Sequence, residues 1–284
     1  DGQSLLDSSM FGKYNDKGML LLRNQFFKSC CFNTNIRKWF EDNEITDISQ
    51  LNGTTLATDI SQIEMITTPS SIKYMKFGTL EQWLKTVKPT FGIVKHEKKT
   101  HYFGGKLTQV HYQLINTLQL SFEEVEELLA PSLKYIADVR SDPAVLRYAI
   151  KYPVDSERRA WKSMNSKNEI IFKLLGINDK FQKTKIYKNF RDDLVKSEIR
   201  NLKRGHVLVN GNNSTIMGNG YEMLLQSIGK FDGKSCLNPG EIHTKRFEYS
   251  KQLLGVRSPH ITLGNILLSK NKECIELDNY FNLS

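Results

Sequence analysis

Four cysteines and seven prolines are few for a chain of 284 residues. Cys30 and Cys31 are adjacent, and Cys236 and Cys274 stand apart with no CxxC spacing, so neither a zinc site nor a disulfide framework is indicated. That usage points to a reducing, cytoplasmic setting. No apolar run approaches the roughly 20 residues that span a bilayer, and no signal peptide opens the chain, so no membrane partner is expected. His96, His101, His111, His206, His243 and His260 show no HxxxH or HxH spacing, and no metal ligand is assigned among them. GxSxG, HExxH and Walker sequences are missing, which removes support for hydrolase and ordinary NTPase readings. An initiator methionine is missing as well: the chain opens on Asp1, which reads as a fragment of a longer product.

What is present is a globular composition with an uneven charge. Hydrophobic residues make up 39% and charged residues 25%, enough to bury a sizeable core rather than remain disordered. Between Arg158 and Arg204 stand fourteen Lys/Arg against five acids, and this net +9 equals the formal charge of the whole chain. Such a concentration suits a polyanion, because cations that replace counterions on phosphates release them. A solvated helical face would give the same pattern.

The order of elements reads β-rich, α-rich, β-rich. MLLLRNQFFKSCCF, IEMITTPSSIKYMKF and FGIVKHE predict strands, interrupted by short helices at Ile36–Asp42 and 79–88. The middle predicts helices over 109–120, after the Ser121-Phe-Glu-Glu124 capping box, and from Asp142-Pro143, with a break at 173–177. After Gly205, HVLVN, STIMGN, EIHTKRF, HITLGNILLS and ECIELDNY predict strands again. The expected class is α+β, with two β modules joined by a helical connector.

Three cationic positions lie in apolar, strand-like surroundings: Lys28 in FFKSCCF, Lys73 or Lys76 in PSSIKYMKF, and Arg257 in GVRSPHITLGNILL. A dry lysine loses several kcal/mol of hydration, so it must be paired, neutral or facing a wet site. One such residue is ordinarily a strand-end cation that reaches water. Three together suit phosphoryl transfer, whose transition state spreads negative charge over phosphate oxygens.

In order along the chain, these segments resemble the catalytic region of cellular RNA-dependent RNA polymerases of the RNA-silencing type and their bacterial and phage-encoded relatives. AspGlyGln at 1–3 is similar to the DG(V/Q)G opening, LLRNQFFKSCCFN to the RYGGYKGV-type strand, and TTPSSIKY to the RPSMxKF element. LTQVHYQLINTLQLSFEEVEELL resembles the connector helix pair, NSTIMGNGYEML the RxLMGxxDExGxL element, GEIHTKRF the GQVFV-like strand, and VRSPHITLGNILL the RNPCxHPGDI motif. Two positions depart: Asn219-Gly-Tyr-Glu222 stands where the family has Asp-Glu, and Asn265 where it has aspartate. A DxDGD-type metal loop occurs nowhere in the chain.

The resemblance implies double-psi β-barrel modules: a first over 1–104, a basic helical connector over 105–204, and the start of a second over 205–284. It implies nucleotidyl transfer from nucleoside triphosphates to an RNA 3′ end on an RNA or DNA template, with two Mg²⁺ ions held by aspartates outside this sequence. The remainder of the polymerase chain would be a partner. Lys28 and Lys73, or Lys76 in the alternative register, would neutralise triphosphate and pyrophosphate, and Arg257 would approach the nucleotide. Arg158, Arg159, Lys183, Lys185, Lys188, Arg200, Lys203 and Arg204 would grip nucleic-acid backbone. The rival readings are a nucleic-acid-binding protein without catalysis and a purely structural protein.

Overall fold

The computed structural model describes residues 2–97, 107–160, 166–257 and 262–283, with the side chains of 152–160 outside that description. The class is mixed α and β, with several small sheets. Two units emerge: Asp1–Glu97 with Ser214–Gly255 and Leu268–Ser284, and Lys98–Asn213 with Val256–Leu267.

The first unit is built on β1 (Gln3–Asp7), β2 (Met19–Asn24), β3 (Phe27–Thr34), β4 (Met65–Thr67) and β5 (Gly92–His96), in the sheet order β4-β1-β3-β2-β5. β1 runs parallel to β3, while β2 pairs antiparallel with both β3 and β5, and β4 antiparallel with β1. The stretch read as one strand is therefore a hairpin. Gln25 and Phe26 form its turn, Phe26 with a positive φ of 55°. Asn24 and Gln25 are the polar pair that breaks the apolar run, a two-residue loop signal overridden in the sequence by the hydrophobic residues on either side.

β3 alternates at its start, with Phe27, Ser29 and Cys31 buried and Lys28 exposed. Period-two geometry thus turns the Lys28 side chain out of the core. At the other end of the sheet α1 (Ile36–Asp42) begins where the sequence placed it, with Asn35 as N-cap. The buried Asp7 carboxylate also accepts from Ile36 N at 3.1 Å and Arg37 N at 3.3 Å, satisfying helix-start donors from the end of β1. α2 (Leu80–Thr86) carries a capping box from Thr79 and Gln82.

PSSIKYMKF forms consecutive 3-10 turns over Pro69–Ser71 and Lys73–Lys76 rather than a strand. Pro69 has no N–H to give a ladder, and the segment's strand-type pairing with the sheet is limited to the isolated Phe27↔Ile72 bridge.

In the second unit β6 (Leu107–Gln109) precedes a short α3 (Tyr112–Thr117) capped by His111, so the helix expected over 109–120 is shorter at both ends. α4 (Phe122–Ser141) starts at the capping box of Ser121 and Glu124. α5 (Pro143–Ala160) follows, with Ala144 N bound to the Asp142 carboxylate at 2.7 Å. α6 (Lys167–Ile177) runs through the break expected at 173–177, because Gly176 sits under the Arg147 guanidinium, which a Cβ would meet at 2.7 Å. α7 (Lys185–Lys203) and β7 (Leu208–Asn210) complete the unit, β7 pairing antiparallel with β6. Tyr135, Val139, Leu146, Ile150, Ile171, Tyr187 and Phe190 are among its buried core.

The chain then returns to the first unit. STIMGN makes no strand; Asn219 ends it by capping α8 (Gly220–Ser227), accepting from Tyr221 N and Glu222 N. EIHTKRF contributes only the two-residue β8 (Glu241–Ile242). β9 (Gln252–Val256) and β10 (Ile266–Asn271) form with it a three-stranded sheet in the order β8-β10-β9. ECIELDNY is a helix, α9 (Ile275–Tyr280), where a strand was expected. Buried Cys274, Leu277 and Phe281 recur at i, i+3 and i+7, a helical period hidden inside an alternating-looking run. The first unit's main core joins Leu5, Ile36, Trp39 and Phe40 to Leu224, Ile228, Cys274, Leu277 and Phe281.

Among the described residues no helix is long and apolar enough to cross a membrane.

Candidate phosphate and nucleic-acid surfaces

Lys28 and Arg23 stand directly opposite each other on the β2–β3 hairpin, and both are exposed. Neither makes an ion pair with a described acid. Like charges at such a position repel, which destabilises the hairpin unless an anion lies over them. Both cations therefore face water rather than forming a buried pair.

Lys73 is brought beside this hairpin by backbone. Its N–H donates to Phe26 O at 2.5 Å, next to the Phe27↔Ile72 bridge. Its Nζ donates to Ser70 O at 2.6 Å within its own turn and is half-buried, whereas Lys76 is exposed. The two motif segments, 45 residues apart in sequence, are thus neighbours in one unit.

Beneath them runs a buried chain of hydroxyls that the sequence reading missed. Ser4 Oγ lies 2.7 Å from Ser29 Oγ and 2.6 Å from Thr67 Oγ1, and Ser71 Oγ donates to Ser29 Oγ at 3.1 Å. Ser4, Ser29 and Ser71 are all fully or almost fully buried. Satisfied polar groups in a low-dielectric interior hold one arrangement, so this network fixes β1, β3, β4 and the Pro69 turn in mutual register. In the sequence only Ser29 and Ser71 stand near the two lysines, and Ser4 lies far from both.

Arg257 belongs to the second unit, is exposed, and donates its N–H to Asn265 O at 2.9 Å. Residues 258–261 of its motif lie outside the described residues, as do the side chains of Arg158 and Arg159.

The remaining basic residues are well defined. Helical spacing places Lys185, Lys188, Lys196, Arg200 and Lys203 on one side of α7, opposite buried Tyr187 and Phe190. Lys183 and Arg204 are exposed just beyond its ends. None of these seven pairs with a described acid. Acids of the same segment are instead held by other partners: Glu169 by Lys173 at 2.8 Å, Asp192 by Arg191 at 2.8 Å, and Asp193 by Lys167 at 3.5 Å. The face keeps a surplus of cations, with Asp192 among them on the same side of the helix.

Thiol chemistry finds no support at these surfaces. Burial pushes Cys31 up to about 12, and burial likewise pushes Cys274 up to about 12, so both are protonated near neutrality. Among the described residues no group of three or more His, Cys, Asp or Glu is placed to hold a metal ion.

A second titratable cluster is structural. The buried His243 ring meets Lys272 O at 2.8 Å and Asp278 Oδ1 at 2.9 Å, and Lys245 Nζ lies 2.9 Å from the same oxygen. Burial would raise the Asp278 carboxyl, but hydrogen bonds from Lys245 and His243 outweigh it and hold the group below its ordinary 3.8. A depressed folded value means stability that is present above 3.8 and lost as the pH falls through the folded value. Asp278→Asn is expected to lose about 1–3 kcal/mol at pH 7 and to show a shallower acid limb in urea titrations between pH 5 and 2. An unchanged acid limb would remove Asp278 from this role.

No family model, curated protein or solved structure matches this chain.

Proposed function

We propose that this chain is the part of a template-dependent RNA polymerase that handles the nucleotide's phosphates, on modules of double-psi β-barrel type. The observation that carries the reading is the unpaired Arg23–Lys28 cross-strand pair, with the Lys73 turn bonded to the same hairpin. Exposed, fixed cations with no protein anion suit a triphosphate, whose charge grows on the leaving pyrophosphate. In this reading Lys28 binds phosphate oxygens, Lys73 supports it from the adjoining turn, and Lys76 holds the alternative register. Parallel pairing of β1 with β3 and the long connection between them agree with barrel-type connectivity. Arg257 is assigned the nucleotide's sugar or phosphates on its motif alone. The roles concern cations only, since the described residues gather no carboxylate set for Mg²⁺.

The test is primer extension by the gene product that carries this sequence, on RNA and on DNA templates. Incorporation of ribonucleotides on either supports the reading and settles the template. Absence of incorporation on both, with nucleic acid still bound, favours the second reading.

That second reading is a nucleic-acid-binding protein without catalysis, favoured by the cation-rich face of α7. Backbone gripping by that face requires salt sensitivity. If about six phosphates are contacted, affinity for a 20-nucleotide RNA falls about 300-fold between 50 and 200 mM salt. A flat response would remove α7 from the interface.

A further inference from the structure

The tip of the β2–β3 hairpin is built in a way that phosphate binding leaves unexplained. Phe26 is 56% exposed and Phe77 is 74% exposed, and the Phe26 ring touches both Phe77 and Tyr74. Phe26 lies edge-on to Tyr74 at 5.6 Å between centroids and edge-on to Phe77 at 6.0 Å. Gly78 makes room for this cluster, since a Cβ there would stand 2.6 Å from Tyr74 Cε1.

Phe26 also occupies the left-handed region, with φ 55°. Glycine or asparagine takes that conformation readily, whereas a bulky side chain there is an outlier held by its surroundings. The turn is clamped to hold it. Trp83 Nε1 donates to Gln25 O at 2.7 Å, Lys73 N to Phe26 O, and Asn24 Nδ2 to Lys88 O at 2.5 Å. A strained backbone that presents an aromatic ring to solvent gains nothing for the core, so the ring serves something outside it.

The surroundings of the cluster select its partner. Residues 23–28 and 73–88 carry Arg23, Lys28, Lys73, Lys76, Lys85 and Lys88 against one acid, Glu81. Aromatic faces interleaved with unopposed cations match the alternating bases and phosphates of a single strand, whereas an apolar protein partner would leave those cations desolvated. We infer that Phe26, Tyr74 and Phe77 form a stacking platform for unpaired bases of single-stranded nucleic acid, with Arg23, Lys28 and Lys76 holding the flanking phosphates.

The inference rests on binding and not on the polymerase reading, so loss of one leaves the other standing. Fluorescence anisotropy of the 284-residue chain with labelled 12-nucleotide oligouridine, oligothymidine and a duplex of equal length tests it. Phe26→Asn relieves the turn and is expected to keep or raise the melting temperature while weakening single-strand binding about tenfold. Phe77→Ala removes a ring that the core does not use and is expected to do the same, and the double variant to reach about 100-fold. Duplex affinity is expected to stay constant throughout. Equal losses on RNA and DNA support recognition of bases alone, and a loss confined to RNA supports recognition that includes the sugar. Three results would overturn the proposal: unchanged single-strand affinity in the double variant, an equal loss on duplex, or a shift in sedimentation of the free chain in place of any binding change, which would make the patch a self-association surface.

Discussion

Replacement of Lys28 by alanine is expected to slow nucleotide incorporation by about 100-fold or more while leaving the fold intact. The side chain is exposed, makes no ion pair with a described acid, and stands against Arg23 across the hairpin. Its removal relieves a repulsion, so the melting temperature should hold or rise slightly. A large kinetic loss without a thermal one separates chemistry from packing. Lys28→Arg keeps the charge but not the compact ammonium, and should recover part of the rate. Near-normal incorporation by Lys28→Ala would remove the residue from phosphate handling. A rate loss that tracks a lower melting temperature would assign it to folding.

The second large effect is on stability. Trp39 is 2% exposed and packs edge-on to Tyr280 at 5.0 Å and to Tyr221 at 5.6 Å between centroids. Trp39→Ala is expected to cost about 3–5 kcal/mol in urea unfolding, from lost burial and the cavity left between those rings. Trp39→Phe should cost much less, because the buried indole Nε1 has no hydrogen-bond partner and its removal discards an unsatisfied donor. Equal costs for the two would mean that Nε1 is satisfied in solution.

Local chemistry carried much of this fold into the sequence. The bounds of α1, the Ser121 capping box and the start of α5 at Pro143 follow from periodicity and capping, which operate over a few residues. Lys28 was legible as a cation that has to face water, because strand alternation alone decides its side. The hairpin was not, since the apolar residues around Asn24 and Gln25 outweighed a turn that needs Phe26 in an uncommon conformation. α9 was missed because Ile275 and Leu277 imitate alternation, although Ile275 is exposed while Cys274, Leu277 and Phe281 are buried. Nor could local pattern show that Trp39 is covered from the far end of the chain, or that Ser4, Ser29 and Ser71 meet. These depend on contacts between segments far apart, for which periodicity has no signal.

That long-range closure sets a clock on synthesis. Thr34 bridges to Phe281, Asn35 N bonds Tyr280 O at 2.7 Å, and the Trp39 core needs Leu224 and Leu277. A ribosome adding about 5–20 residues per second reaches Phe281 about 12–50 s after Trp39 has been made. Until then Ile36, Trp39 and Phe40 lack the cover that Leu277, Tyr280 and Phe281 supply. The nascent chain thus keeps part of this core uncovered until α9 emerges, and slowing translation across the second unit lengthens that exposure without altering a single residue.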